Sequence, residues 1–235
     1  MTDLCEDRSA PYPGGAPSAG PDAYRAKATE YFANARSDYV AELPDNPAAS
    51  ILEIGCGEGT TGALALSQGK CGFYVGVDIL ENVVARARKQ ISEAVAGDVE
   101  VIQLPWTRGT FDALILSEVL EHLTDPRATL RKLRPLLKPG ALVFASSPNV
   151  AHYRVVAMLL RGEWNLADSG IMDRTHLRWF TPKTYRALFE SAGYKVDSVR
   201  ELAPLTRKAR LIAGFSFGRL KHLFISQIDL RAHCV

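Results

Sequence analysis

Three side chains capable of acid–base or metal chemistry crowd seven residues of this sequence. In SEVLEHL (117–123), Glu118, Glu121 and His122 stand at i, i+3 and i+4, so one helical turn would bring all three to one face. Two carboxylates and an imidazole so placed repel or stay solvated unless a cation joins them. Hard oxygen donors with one nitrogen suit Mg²⁺, Mn²⁺ or Zn²⁺. His176, in MDRTHLRWFTP (172–182), is the candidate fourth ligand. The same residues admit two other readings. His122 or His176 could act as a metal-free general base, oriented by a glutamate such as Glu121. The turn could also be purely structural, because a glutamate that opens a helix is stabilised by the helix dipole alone.

A second constellation lies upstream. ILEIGCGEGTTG (51–62) places Gly55, Gly57 and Gly59 after an apolar run that contains a carboxylate, Glu53. Glycines between a strand and a helix let a ligand approach the backbone closely and aim helix N–H groups at it. Gly57, Gly59 and Gly62 also spell the G-x-G-x-x-G of dinucleotide sites. Asp78, ending FYVGVDI (73–79), is the acid that a cofactor ribose requires. Glu53 separates the cofactors. A carboxylate beneath the loop repels a pyrophosphate; it suits S-adenosylmethionine, which carries a sulfonium and an ammonium and no phosphate.

The elements that must position these residues alternate from residue 50 onward. Apolar runs predict strands at 51–55, 73–79, 99–104, 111–117 and 141–147, with helices at Thr60–Gln68, Glu81–Ala94 and Pro126–Leu137 between them. A helix at Pro182–Ala192 and strands at 194–202 and 222–234, the last an edge or antiparallel strand, complete a count of seven strands. Near-continuous apolar strands between helices indicate an α/β fold with a mostly parallel sheet covered on both faces. Upstream, a helix is expected over Tyr24–Leu43. Residues 1–22, including PYPGGAPSAGP, form a leader too poor in apolar surface to order itself, and 23–235 form one domain.

Composition narrows the classes. The chain of 235 residues is long enough for one well-filled α/β domain, and its net charge of +2 gives no field that argues for nucleic acid. Its four cysteines show no paired spacing, which suits a reducing, cytoplasmic compartment. The longest charge-free run, Pro139 to Tyr153, is interrupted by Pro148, Asn149 and His152, so no membrane span is expected.

LEIGCGEGTTG, VGVDI, AGDVEVIQLP, FDALILSEVLEHL and LKPGALVFASSPN resemble, in order and spacing, the successive motifs of class I S-adenosylmethionine-dependent methyltransferases, over residues 50–201. The resemblance implies a Rossmann-like sheet of seven strands with the last antiparallel. It implies that Glu53, Gly55, Gly57 and Gly59 surround the methionine part of the cofactor, and that Asp78 takes the ribose hydroxyls. Asp98 and Val99 would meet the adenine, and Ser117 would join the cofactor site. The E-x-x-E-H turn with a later histidine is similar to ubiquinone-pathway O-methyltransferases and small-RNA 2′-O-methyltransferases, which implies a divalent metal at Glu118, Glu121, His122 and His176. The PN…DRTHLRWFTP arrangement resembles bacterial enzymes that methylate sugar hydroxyls of polysaccharides, glycolipids or glycosylated metabolites. A phenolic O-methyltransferase and a non-catalytic cofactor-binding protein are the alternatives.

Residues 149–180, with His152, Tyr153, Arg154, Trp164, Arg178 and Trp179, are the expected acceptor wall, inserted as a lid. Arg178 is the favoured acceptor contact. The apolar run 155–160 is either core or a face toward a lipid-linked acceptor.

Overall fold

The computed structural model describes residues 34–201 and 219–235. Five parallel strands form the body of the sheet: β1 (Ser50–Ile54), β2 (Phe73–Asp78), β3 (Glu93–Ala96), β4 (Phe111–Ser117) and β5 (Leu137–Pro148). With β6 (Tyr194–Glu201) and β7 (Gln227–Cys234) the order is β3-β2-β1-β4-β5-β7-β6. β7 alone is reversed, antiparallel to both β5 and β6, and it lies inside the sheet while β6 forms the edge. Seven strands with the last one reversed is the expected count and sense.

Side-chain alternation sorts the central strands onto two cores. Leu52, Ile54, Val75, Val77, Leu114 and Leu116 face α4 (Pro126–Leu133) and α6 (Pro182–Ser191), whose Leu130, Leu133 and Phe189 share that core. Ile51, Tyr74, Ala113 and Ile115 face α1 (Ser37–Glu42), α2 (Thr60–Ser67) and α3 (Glu81–Ala87). Local chemistry sets the helix ends. Asp125 accepts the Ala128 N–H at 2.9 Å to start α4, and Thr181 and Thr184 form a reciprocal capping box ahead of α6, each helix having proline in its first turn. α5 (Tyr153–Leu160) begins the segment between β5 and α6.

Three expectations need correction. The strand predicted at 99–104 is a turn: Val101 and Ile102 donate to the Asp98 carbonyl, Glu100 N–H donates to Asp98 Oδ1 at 2.8 Å, and Val101 is 79% exposed. The third strand is instead EAVA (93–96), within and just beyond the helix predicted at 81–94, which ends at Ala87. Upstream, residues 34–36 are not helical, and the helix expected over 24–43 is confined to Ser37–Glu42 among the described residues. The leader and the start of that helix lie outside the described residues.

The seam between α2 and β2 is tight at Gly62. A methyl group there would lie 2.6 Å from Ile91 Cγ2 and closer still to the Tyr74 ring. Alanine gains about 1 kcal/mol of helix propensity over glycine, whereas overpacking costs about 1–3 kcal/mol. Gly62→Ala should therefore lower the urea midpoint; an unchanged or higher midpoint would show that the seam can relax.

Candidate active site

A cavity of about 680 Å³ opens at the carboxyl edge of the sheet, where the loops after β1, β2, β3 and β4 converge. Gly55, Gly57 and Gly59 all take positive φ in the first of these loops. At Gly55 a side chain would also collide with Val119 Cγ2, 2.6 Å from the position of a Cβ. The loop is tied to the next strand twice: the Gly55 N–H donates to the Val77 carbonyl at 2.7 Å, and the Gly57 N–H donates to Asp78 Oδ2 at 3.0 Å. Asp78 Oδ1 also accepts from the Leu80 N–H. Burial raises the Asp78 carboxyl above its usual range, and these backbone donors oppose the rise.

Glu53 projects from β1 toward the α2 face and accepts the Tyr74 hydroxyl at 2.9 Å. Burial raises its pKa to about 7, opposed by the Tyr74 and Thr61 hydroxyls and reinforced by Asp78. The cavity wall also contains Asp98, Val99, Ser117, Glu118, His122 and His176. Gly59 sits behind the wall as the left-handed N-cap of α2.

The cluster of Glu118, Glu121 and His122 assembles differently from a single helical turn. Glu118 has φ +55°, and the turn that follows is 3₁₀, Leu120–His122. Glu118 accepts from Gln227 Nε2 at 2.6 Å. Glu121 and His122 instead meet His176, each offering one ligand atom within 4.8 Å of the others. His122 Nδ1 lies 3.2 Å from the Thr175 carbonyl, and His176 Nδ1 lies 3.1 Å from the Ile171 carbonyl. A carbonyl only accepts, so each neutral ring carries its proton on Nδ1 and its lone pair on Nε2. Asp173 steadies this arrangement by accepting the Thr175 N–H and hydroxyl at 2.9 and 2.7 Å.

Glu121 is almost wholly buried, and neither of its oxygens makes a hydrogen bond of good geometry among the described residues, although the Ser147 hydroxyl favours its charged form. Burial, then the neighbouring Glu118 charge, holds its carboxyl well above the usual range. An orphaned carboxylate beside two imidazoles whose Nδ1 atoms are anchored to carbonyls fits a divalent cation. Two nitrogens and one oxygen favour Zn²⁺ or Mn²⁺ over Mg²⁺.

Arg36, Gln227 and Asp173 also line the cavity and were not singled out from the sequence. Arg36 donates to the Ser117 and Ser146 hydroxyls at 2.5 and 2.9 Å and chelates Asp38. Arg178, the expected acceptor contact, donates to the Thr124 and Leu177 carbonyls and is not part of the cavity wall. Trp164 and Trp179 stack edge to face, and His152 is the N-cap of α5.

With one reversed strand among seven and the glycine turn opening into the cavity, the architecture is that of the class I S-adenosylmethionine-dependent methyltransferases. Residues 24–199 match the family described as a methyltransferase domain, and the chain belongs to it. The ubiquinone biosynthesis O-methyltransferase of Xanthomonas axonopodis pv. citri (strain 306) is 33% identical over 186 residues, which cover 75% of this chain and 76% of that protein. The protein of that name from Xanthomonas campestris pv. campestris (strain B100) is 35% identical over 120 residues, 48% of this chain and 49% of that one. An uncharacterized 37.1 kDa protein in transposon TN4556 of Streptomyces fradiae is 32% identical over 111 residues, 46% of this chain and 32% of that protein. The last two matches thus span half or less of those curated relatives. Two solved structures share the fold. One is the S-adenosylmethionine dependent methyltransferase from Mesorhizobium loti, with TM-score 0.59, 19% identity, and coverage of 88% of this chain and 98% of that chain. The other is from Archaeoglobus fulgidus, with TM-score 0.59, 21% identity, and coverage of 87% and 96%.

Glu53 gives a stability test. Its folded pKa of about 7 exceeds the ordinary 4.5, so folding takes up a proton between those values and stability falls as pH rises through that window. At about 1.4 kcal/mol per pH unit the loss reaches about 3 kcal/mol above pH 7. Glu53→Gln keeps an acceptor for Tyr74 and removes the charge. The cofactor-free variant should exceed the wild type in urea midpoint at pH 8 and differ little at pH 5. Equal differences at both pH values would show that Glu53 titrates normally.

Proposed function

We propose that this chain is an O-methyltransferase that transfers a methyl group from S-adenosylmethionine to a hydroxyl of a sugar, glycolipid or glycosylated metabolite, assisted by a divalent cation. The observation that carries this reading is the convergence of buried Glu121 with His122 and His176, two histidines that line the cavity also holding Glu53, Asp78 and the glycine turn. S-adenosylmethionine, when bound, supplies the electrophilic methyl group. Asp78 keeps lone pairs for ribose hydroxyls after accepting the Gly57 and Leu80 N–H groups. Asp98 and Val99 flank the adenine end. Glu53, under Gly55, Gly57 and Gly59, presents negative charge to the sulfonium and ammonium, and Ser117 with Arg36 borders the same end, where the guanidinium suits a carboxylate.

A divalent cation on Glu121, His122 and His176 would act as a Lewis acid on the acceptor hydroxyl and lower its pKa. Glu118 is left out of this ligand set because its carboxylate is engaged by Gln227. The carbonyls of Thr175 and Ile171 fix the tautomers of both imidazoles, and Asp173 holds the Thr175 end of that support. A phenolic acceptor is the second reading, favoured by the relatives named ubiquinone biosynthesis O-methyltransferase.

Transfer of labelled methyl to panels of glycosides and of catechols distinguishes the two acceptor classes, and transfer to neither overturns both. Prolonged dialysis against a chelator should lower transfer at least tenfold, with Mn²⁺ or Zn²⁺ restoring it better than Mg²⁺. Full activity in chelator would instead favour a histidine base. Asp78→Ala should weaken S-adenosylmethionine binding by calorimetry about ten- to a hundredfold, and unchanged affinity would remove Asp78 from the ribose site.

A further inference from the structure

α5 is apolar on two opposite faces, and the described residues cover only one of them. Val155 and Met158 are buried against Met172. Tyr153, Val156, Ala157 and Leu160, at i, i+3, i+4 and i+7, form an outward stripe on which Tyr153 and Leu160 are exposed, Leu160 at 84%. The exposed Leu159 flanks this stripe. The Tyr153 ring meets the Phe224 ring at 6.1 Å, which brings the turn at Lys221–Phe224 and the exposed Leu220 alongside.

Cations frame this apolar surface. Arg154, Arg161, Arg219 and Lys221 are exposed around it. The nearby acids Glu163 and Asp168 are each paired with an arginine, Arg161 and Arg174. From residue 219 to 228 the sequence holds Arg219 and Lys221 and no Asp or Glu. An apolar, tyrosine-containing centre framed by lysine and arginine is the chemistry of a helix lying in the interface of an anionic bilayer. The surface also adjoins the cavity mouth: α5 is capped by His152, four residues after the cavity-lining Pro148, and Ser169 and Gly170 line the cavity from the other side of the segment.

We propose that the outward face of α5, with the turn at 219–224, docks the protein on an anionic membrane surface and holds the cavity mouth beside the headgroups. Docking does not depend on methyl transfer, so it stands or falls separately from the proposed function.

Co-sedimentation of the full chain with vesicles of phosphatidylcholine, with or without phosphatidylglycerol, tests this. The wild type should bind the anionic vesicles, more weakly as salt rises, and bind neutral vesicles poorly. Leu160→Asp should weaken binding about tenfold or more, and Arg219→Gln about fivefold. Calorimetry with S-adenosylmethionine serves as the folding control, since neither residue lines the cavity. Absence of binding to anionic vesicles at low salt would overturn the proposal, as would unchanged binding by Leu160→Asp. So would a wild-type dimer in sedimentation velocity that Leu160→Asp abolishes, because the face would then belong to a second copy.

Discussion

A carboxylate inside the first strand, held by one tyrosine hydroxyl, sets the electrostatics of the whole cavity. Glu53 is fully enclosed and its charge is disfavoured by desolvation, yet it lies next to Asp78, whose carboxyl burial also disfavours. Half-buried Glu118 in the cavity wall and buried Glu121 behind it add two more acids. Such a site is poorly satisfied when empty and gains most from cationic ligands. The same logic that disfavours a pyrophosphate favours a sulfonium at one end and suits the proposed cation at the other.

The sheet was legible because parallel strands buried on both faces must be nearly continuous apolar runs, and β1, β2, β4 and β5 are. β3 escaped because EAVA is short and alanine-rich, while the alternating VEVIQL beside it looked more strand-like and is a turn pinned by Asp98. The glycine loop and Asp78 were readable because local geometry alone fixes their relation. Glu121, His122 and His176 could be singled out by residue type, and the structure brings their ligand atoms within 4.8 Å of one another. The place of Glu118 was not readable, since a left-handed glutamate leaves no mark in a spacing that fits a helix equally well. Arg36 and Gln227 reach the cavity only through tertiary structure and carry no local signal.

Arg36 depends on an ion network that joins the two ends of the described chain. The Tyr39 ring meets the guanidinium groups of both Arg36 and Arg231, 3.5 and 4.6 Å from its centroid. Arg231 pairs with Asp229 at 2.6 Å and with Glu42 at 2.7 Å. Arginines stacked on an aromatic ring and paired with carboxylates are well compensated in a semi-buried position. The network therefore ties α1 to β7 and leaves one of its arginines at the cavity wall.

The reversed strand explains why β7 can serve the site. Parallel strands deliver only their carboxyl ends to the ligand edge, where backbone N–H groups and loop residues dominate. An antiparallel strand begins at that edge instead, so its first residue stands where the others finish. Gln227 pairs with Pro148 at the end of β5 and reaches Glu118 just beyond β4. A side-chain amide can donate to Glu118 while adding no charge to a site already rich in acids. Reversal of one strand thus places a neutral donor against the half-buried Glu118 carboxylate, at a point that parallel strands reach only by their carboxyl ends.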